Sequence, residues 1–384
     1  MSSQVYKNIY LDNAATTQMA KAVEKAMKPY LRENFGNAST IYNYGEEARA
    51  AIEKARRTIA ESLDAKPTEI YFTSGGSESD NWAIKGIAGV CKQKGRHIIT
   101  SKIEHHAVLN SCEYLERLGY EVTYLDVDEN GMVLPEEVIR AIRPDTTLIT
   151  IMFGNNEIGT IEPIWQIGQI AREHQILFHT DAVQAYAQIP ISVRKYPIDL
   201  LSASAHKFHG PKGVGFLYVR EGVSLPSFIH GGGQEQGKRA GTENVPGIVG
   251  MGKAVELAFS DMRQRMRKEM MLRNYLIEKV LHEISDVKIN GHRSMRLPGN
   301  VSMSFRGVDS ATLLILLDED GICASGGSAC NTGEERISYV IDAIKVPEAY
   351  AAGTIRMTLC GDTTRQDIDT AVESLKCNVG KLRG

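Results

Sequence analysis

Two hydrophobic rhythms alternate along the chain. Amphipathic patterns rich in Ala, Lys, Glu and Arg predict helices over 18–32 and 46–63, with further helical stretches at 105–118, 135–142 and 163–174. Short apolar runs lie between them and predict strands: EIYFTSG (69–75), HIITS (97–101), EVTYLDV (121–127), TLITIMFGN (147–155), ILFHTDA (176–182) and LLSASAHK (200–207). Strands alternating with helices imply a largely parallel sheet covered on both faces. GVGFLYV (213–219) follows a Gly-Pro turn and is predicted to pair antiparallel at an edge of that sheet.

The rhythm changes in the last third. One long helical pattern runs from about Gly247 to Ile284, and its charged half, DMRQRMRKEMMLRNYLIEK, reads as a solvated linking helix. VKING, NVSMSF, a helix near 309–319, a Gly-rich loop at 326–333 and a helix near 364–382 follow, as expected of a second α+β domain. The boundary is predicted near residue 260. A length of 384 residues suits two such units.

Composition narrows the functional classes. With 42% hydrophobic and 24% charged residues the chain is an ordinary globular sequence, and a net charge of −3 does not suggest a nucleic-acid or membrane-surface binder. Six cysteines are scattered without a CxxC pair, and the N-terminal residues show no apolar signal region. A reducing, cytoplasmic setting with free thiols is therefore expected. No apolar run approaches the ~18 residues of a membrane span.

Four segments carry candidate chemistry. In SASAHKFHGPKGVG (202–215), Ser204, His206 and Lys207 end an apolar strand among small and hydroxyl residues. That placement suits a buried amine of lowered basicity, as a Schiff-base lysine requires, although a surface lysine beside a turn also explains it. Asp181, in HTDAVQA, ends another apolar strand, where a buried carboxylate needs a cationic partner or serves as a helix N-cap. FTSGGSESDN (72–81) ends a strand on two glycines, then Ser77 and an acidic helix start; such a turn cradles phosphate, and also occurs without one. Finally, ASGGSACNTGEE (324–335) sets Cys330 among small polar residues, the setting of a reactive rather than a packed thiol. No second ligand lies at zinc spacing, so no metal is expected.

Ten stretches in order together resemble the NifS/IscS-type cysteine desulfurases, in the class V aminotransferase branch of fold-type I pyridoxal-phosphate enzymes. They are YLDNAATT (10–17), FGNAS (35–39), FTSGGSESDNWAIKG (72–86), EHHAVL (104–109), NNEIGT (155–160), HTDAVQ (179–184), SAHKFHGPKGVG (204–215), GGGQEQGKRAGTENV (231–245), SGGSAC (325–330) and TIRMTL (354–359). The resemblance implies an α/β fold with a mostly parallel seven-stranded sheet in a large domain (16–259). A small α+β domain (1–15 and 260–384) would carry a mobile Cys loop at about 324–335. It further implies pyridoxal 5'-phosphate as cofactor, in a Schiff base with Lys207. Asp181 would pair with the ring nitrogen, Gln184 with the phenolic oxygen, and His105 would stack on the ring and move protons. Gly76, Ser77, Ser204 and His206 would hold the phosphate, with Thr242 reaching the phosphate of a second subunit in a homodimer. Asn156, beside the cofactor, and Arg356 would bind the carboxylate of L-cysteine. Cys330 would take the sulfur as a persulfide, releasing L-alanine, and pass it to an acceptor protein in iron–sulfur cluster assembly or tRNA thiolation.

Two departures from the family pattern stand out. Gly76-Ser77 replaces a common Ala-Thr and keeps the hydroxyl. The segment after Cys330, NTGEERISYV, is more acidic and polar than usual, and its full length matches the long-loop subgroup. The chain ends soon after its last helix, without the extended tail by which some members dock an iron–sulfur scaffold, which leaves that partner unassigned. A selenocysteine lyase, a class V aminotransferase acting on serine-like substrates and a non-catalytic sulfur carrier are the alternative readings.

Overall fold

The structure, a computed structural model, describes residues 8–326 and 337–384. Its centre is a seven-stranded sheet of β2 (Ile70–Thr73), β3 (His97–Ser101), β4 (Glu121–Leu125), β5 (Thr146–Thr150), β6 (Leu177–Asp181), β7 (Leu200–Ser204) and β8 (Gly215–Val219), following the two-residue β1 (Ile9–Tyr10). The strand order is β2-β8-β7-β6-β5-β3-β4. Neighbours from β7 to β4 are parallel, and β8 is antiparallel to both β7 and β2. The fold is thus the expected α/β type with a mostly parallel seven-stranded sheet. β8 pairs antiparallel as expected but lies inside the sheet, because β2 hydrogen-bonds to its outer side and takes the edge.

The central strands are apolar on both faces because helices cover both. One face packs Ile99, Ile149, Phe178 and Leu201 against the helices Asn43–Ser62 and Val245–Ser260. The other packs Ile98, Leu148 and Leu200 against the helices Gly76–Cys91 and His106–Glu116. Parallel pairing also aligns the C-terminal ends of β3, β5, β6 and β7 along one rim, where ligands bind in open α/β sheets.

A second sheet, antiparallel, runs in the order β12-β13-β10-β9, formed by β9 (Val287–Ile289), β10 (Asn300–Phe305), β12 (Ser325–Gly326) and β13 (Thr354–Thr358), while β11 (Ile322–Cys323) pairs with β1. The long helical pattern is two helices, Val245–Ser260 and Met262–Glu283, broken at Asp261 (φ −130°, ψ 12°). Apolar residues before the break join the large-sheet core, and Leu272, Leu276, Ile277 and Val280 after it join the core of the small sheet. The charged half is therefore solvated on one side only; Glu269 and Arg273 are buried with those apolar residues.

Among the described residues, Cys91, Cys112, Cys323, Cys360 and Cys377 form no disulfide. No described helix is long and apolar enough to cross a membrane.

Candidate active site

A cavity of about 450 Å³ opens at the C-terminal rim of the large sheet, and Arg356 of β13 closes one side. Gly76, Ser77, His105, Asn156, Asp181, Gln184, Ser204, His206, Lys207 and Arg356 all line it. Residues up to 280 positions apart in sequence meet there because all but Arg356, which lies in β13, follow or end a strand on the same rim. Of the remaining candidates, Thr242 is exposed and outside the cavity, and Cys330 lies outside the described residues.

Lys207 sits at the end of a single helical turn, Ala205–Lys207, directly after β7. Its Nζ donates to the carbonyls of Ala14 (2.5 Å) and Ala15 (2.9 Å). Gln184 Nε2 donates to the same Ala14 carbonyl at 2.9 Å. The YLDNAATT stretch thus seats the lysine from the far end of the chain.

Asp181 ends β6, and its Oδ1 accepts the backbone N–H of Val183 at 2.9 Å. Burial pushes its carboxyl up, while nearby His105 and Lys207 oppose that. His105 caps the helix His106–Glu116: its Nδ1 accepts the Ala107 N–H at 3.1 Å, which leaves the ring proton on Nε2. Burial pulls His105 below the usual histidine range, so it is neutral at pH 7. Burial and then Lys207 and Lys212 pull His206 down to about 4, and its Nδ1 lies 3.1 Å from the Thr16 hydroxyl.

Gly76 begins a 16-residue helix pointing its N-terminus into the cavity. A Cβ there would lie 2.5 Å from Val183 Cγ2, so an alanine at this position needs the Val183 side chain to shift. Ser77 and Ser204 flank this end, and unpaired N–H groups, a positive dipole end and two hydroxyls match a phosphate.

Arg356 is 2% exposed. Its Nη2 pairs with Asp12 Oδ1 at 2.8 Å and its Nη1 donates to the Asn156 carbonyl at 3.0 Å, leaving the buried Nε without a partner. Asn156 Oδ1 is likewise buried and unpaired. The free Nε donor of this buried guanidinium fits a small carboxylate ligand, while Asn156 Oδ1 is left to accept from a donor.

The chain positions also place residues that motif reading gave no role. Asp12 orients Arg356. Glu157, next to Asn156, is pushed up to about 7 by burial and accepts the Ser338 hydroxyl at 2.5 Å. Tyr339 donates to the Glu104 carbonyl at 2.6 Å and packs edge-on against His106. Asp80 lines the cavity one helical turn after Gly76. Their signal was adjacency: each lies inside or next to a stretch already singled out. Cys112 is buried and its thiol is raised by burial, while burial also raises Cys91 and Cys323, as befits packed, inert thiols.

A phosphate-binding helix end, a lysine, and buried acids with no arginine bonded to them together accommodate a phosphorylated, positively charged ring. The class-V aminotransferase family model matches residues 9–371. The chain is 53% identical over 377 residues to the cysteine desulfurase IscS of Dictyoglomus turgidum, covering 98% of this chain and 96% of that protein. Among solved structures, a NifS-like protein superposes with a TM-score of 0.92 at 38% identity, over 97% of this chain and 100% of the other. SspA in complex with cysteine superposes with a TM-score of 0.81 at 40% identity, over 92% and 99%. With relatives this close over nearly its whole length, the chain belongs to the class-V aminotransferase family, among the cysteine desulfurases of the NifS/IscS type.

Proposed function

We propose that the protein binds pyridoxal 5'-phosphate at Lys207 and removes sulfur from L-cysteine, carrying it as a persulfide on Cys330 and releasing L-alanine. The observation that carries this reading is the convergence of Lys207, Asp181 and Arg356 on one cavity, each buried or half-buried and each suited to a different part of the reactants. The solved structure of SspA, a related fold, holds cysteine.

The bound cofactor would supply an electron sink at its protonated ring, stabilising negative charge at the substrate Cα. Asp181, fixed by the Val183 N–H, holds a carboxylate toward the ring nitrogen. Gln184 has a donor beside the lysine for the phenolic oxygen. The first-turn N–H groups at Gly76 and Ser77, with the hydroxyl of Ser204 and the neutral imidazole of His206, hold the phosphate. Arg356, oriented by Asp12, turns its free Nε toward the substrate carboxylate, and Asn156 adds an amide. Lys207 Nζ moves the Cα proton, and neutral His105, with its proton on Nε2, stacks on the ring and serves as a second proton carrier.

Sulfur transfer balances without an added oxidant. The Cys330 thiolate forms an S–S bond to the substrate sulfur as the C–S bond breaks. The electron pair of that bond stays on carbon, which takes a proton and becomes the alanine methyl.

The active unit is proposed to be a homodimer. Exposed Thr242 is supplied to the phosphate of the second subunit. Its flanking segment 233–243 lines one surface hollow with Ala38, Ser39 and Arg49. Leu31, Phe35, Ile41, Tyr42 and Tyr44, exposed in the same stretch of chain, offer apolar area for such a contact. The sulfur then passes to an acceptor protein of iron–sulfur cluster assembly or tRNA thiolation in the cytoplasm.

The test is Cys330→Ala. The variant should bind the cofactor with unchanged visible absorption yet form no alanine from cysteine. Normal alanine formation by this variant overturns the persulfide assignment, and a colourless wild-type protein after cofactor addition overturns the cofactor.

A further inference from the structure

Beneath the ring site lies a buried acid that the proposed chemistry does not use. Asp80 follows Gly76 by four residues, so both lie on the same face of the helix Gly76–Cys91, the face turned to the sheet. Asp80 is 1% exposed, and its Oδ1 has no hydrogen-bond partner. One ligand atom each from Asp80, His105 and Asp181 lie within 4.8 Å of one another.

The groups facing Asp80 supply no cation. His179, on β6, lies with Nε2 3.6 Å from Asp80 Oδ1, but its two ring nitrogens are engaged by the hydroxyls of Ser202 (3.0 Å) and Thr150 (2.8 Å). Burial holds His179 down to about 3, so it is neutral. His105, in the loop after β3, is neutral at pH 7 as described. Glu104, beside it, is a further acid, fully buried and pushed up to about 8. Lys207 acts on Asp181 and His105. The Ser202 hydroxyl favours the ionised form of Asp80, while burial, then Asp181, and also Glu104 oppose it and prevail.

Two carboxylates this close cannot both be charged in a dry site. Asp181 has a backbone N–H on Oδ1 and the ring nitrogen to meet. Asp80 has neither.

We propose that Asp80 is a positioning residue: a permanently neutral carboxylic acid that donates toward Asp181, keeping that carboxylate the only anion beneath the cofactor ring and fixing its orientation. The inference rests on the cofactor reading above. It gives the pair unequal tasks, with the proton stored on Asp80 and the charge carried by Asp181. A neutral hydrogen-bond donor is then all that position 80 requires.

The experiment compares wild type with Asp80→Asn and Asp80→Leu. Infrared difference spectra, wild type minus Asp80→Asn, should show a protonated carboxylic-acid carbonyl stretch at neutral pH, both with and without pyridoxal phosphate. The amide of Asp80→Asn keeps a neutral donor, so cofactor affinity and the pH midpoint of the visible band should match wild type. Asp80→Leu keeps the branched shape, slightly enlarged, but has no donor. Its affinity for pyridoxal phosphate should fall about tenfold, with a shifted pH midpoint, as expected for losing one hydrogen bond to a charged group. A carboxylate rather than a carboxylic-acid signal from Asp80 overturns the proposal. So does an Asp80→Leu protein indistinguishable from wild type in affinity and pH midpoint, or an Asp80→Asn protein as impaired as Asp80→Leu. If wild type binds no pyridoxal phosphate, the cofactor reading fails on its own, while the infrared signal of the cofactor-free protein still reports the charge of Asp80.

Discussion

The two walls of the cavity solve opposite electrostatic problems. The wall on the large sheet holds Asp80 and Asp181, with Glu104 buried behind them, acids with no arginine bonded to them. The wall on the small sheet presents Arg356, a buried cation already paired with Asp12 through one nitrogen and left open at Nε. Acids that outnumber the cations beside them raise the affinity of their space for a positive group, and a half-satisfied guanidinium does the same for a carboxylate. The difference explains how one cavity orients a ligand with a positive ring on one side and an amino acid's carboxylate on the other. It also explains why the walls come from different sheets: parallel strand ends set rigid acids at one rim, while an antiparallel strand carries the arginine across to face them.

The comparison breaks most visibly at its shared lysine. Lys207→Ala should lower alanine formation from cysteine at least about a thousandfold, since it removes both the cofactor anchor and the proton carrier. Absorbance and product assays on the purified variant check this, and turnover within tenfold of wild type would remove Lys207 from the chemistry.

The arginine wall should fail more selectively. Arg356→Gln is expected to cut kcat/KM for cysteine roughly a hundredfold, mostly through KM, while the cofactor's visible band stays in place. An equal loss of cofactor would mean that the two walls are not separable.

Glu157 tests the arginine wall through pH. Burial raises its carboxyl from an ordinary 4.5 to about 7, so the folded protein binds that proton more tightly than the unfolded chain does. The resulting stability is fully present below the unfolded value and is lost as pH rises through about 7. Between about pH 5 and 8 the loss is on the order of 2–3 kcal/mol. Glu157→Gln should flatten that slope in denaturant titrations, and an unchanged slope would show that Glu157 is not the titrating group.

The smallest effect is expected at Asp12→Asn. The amide keeps an acceptor for Arg356 Nη2 and drops the charge, so KM for cysteine should rise about threefold with kcat unchanged. A fall in KM would mean that Asp12 competes with the substrate rather than positions its receptor.

Much of the site was legible because its residues follow apolar runs. Asp181, Ser204 and Lys207 each end or follow a strand, and a parallel sheet puts such ends on one rim. Asp80 was not legible as a partner of Asp181: the local pattern marks it only as an acid in the first turns of a helix. Asp12 and Arg356 are 344 positions apart, and no local signal joins them. The break at Asp261 carries neither proline nor glycine, so the helical pattern runs on through it. The chain turns there because Val255 and Ala258 pack in one core while Leu272 and Leu276 pack in another.

The sequence by itself determined the alternation of strands and helices, the mostly parallel sheet, the family, and the residues around which a site forms, since periodicity and motif chemistry are local properties. Tertiary structure alone decided that β8 lies inside the sheet, that Asp12 reaches Arg356, and that Asp80 stands buried beside Asp181. Each of these depends on strand order and on groups far apart in the chain, and burial gives their charges weight only once the fold has removed the water.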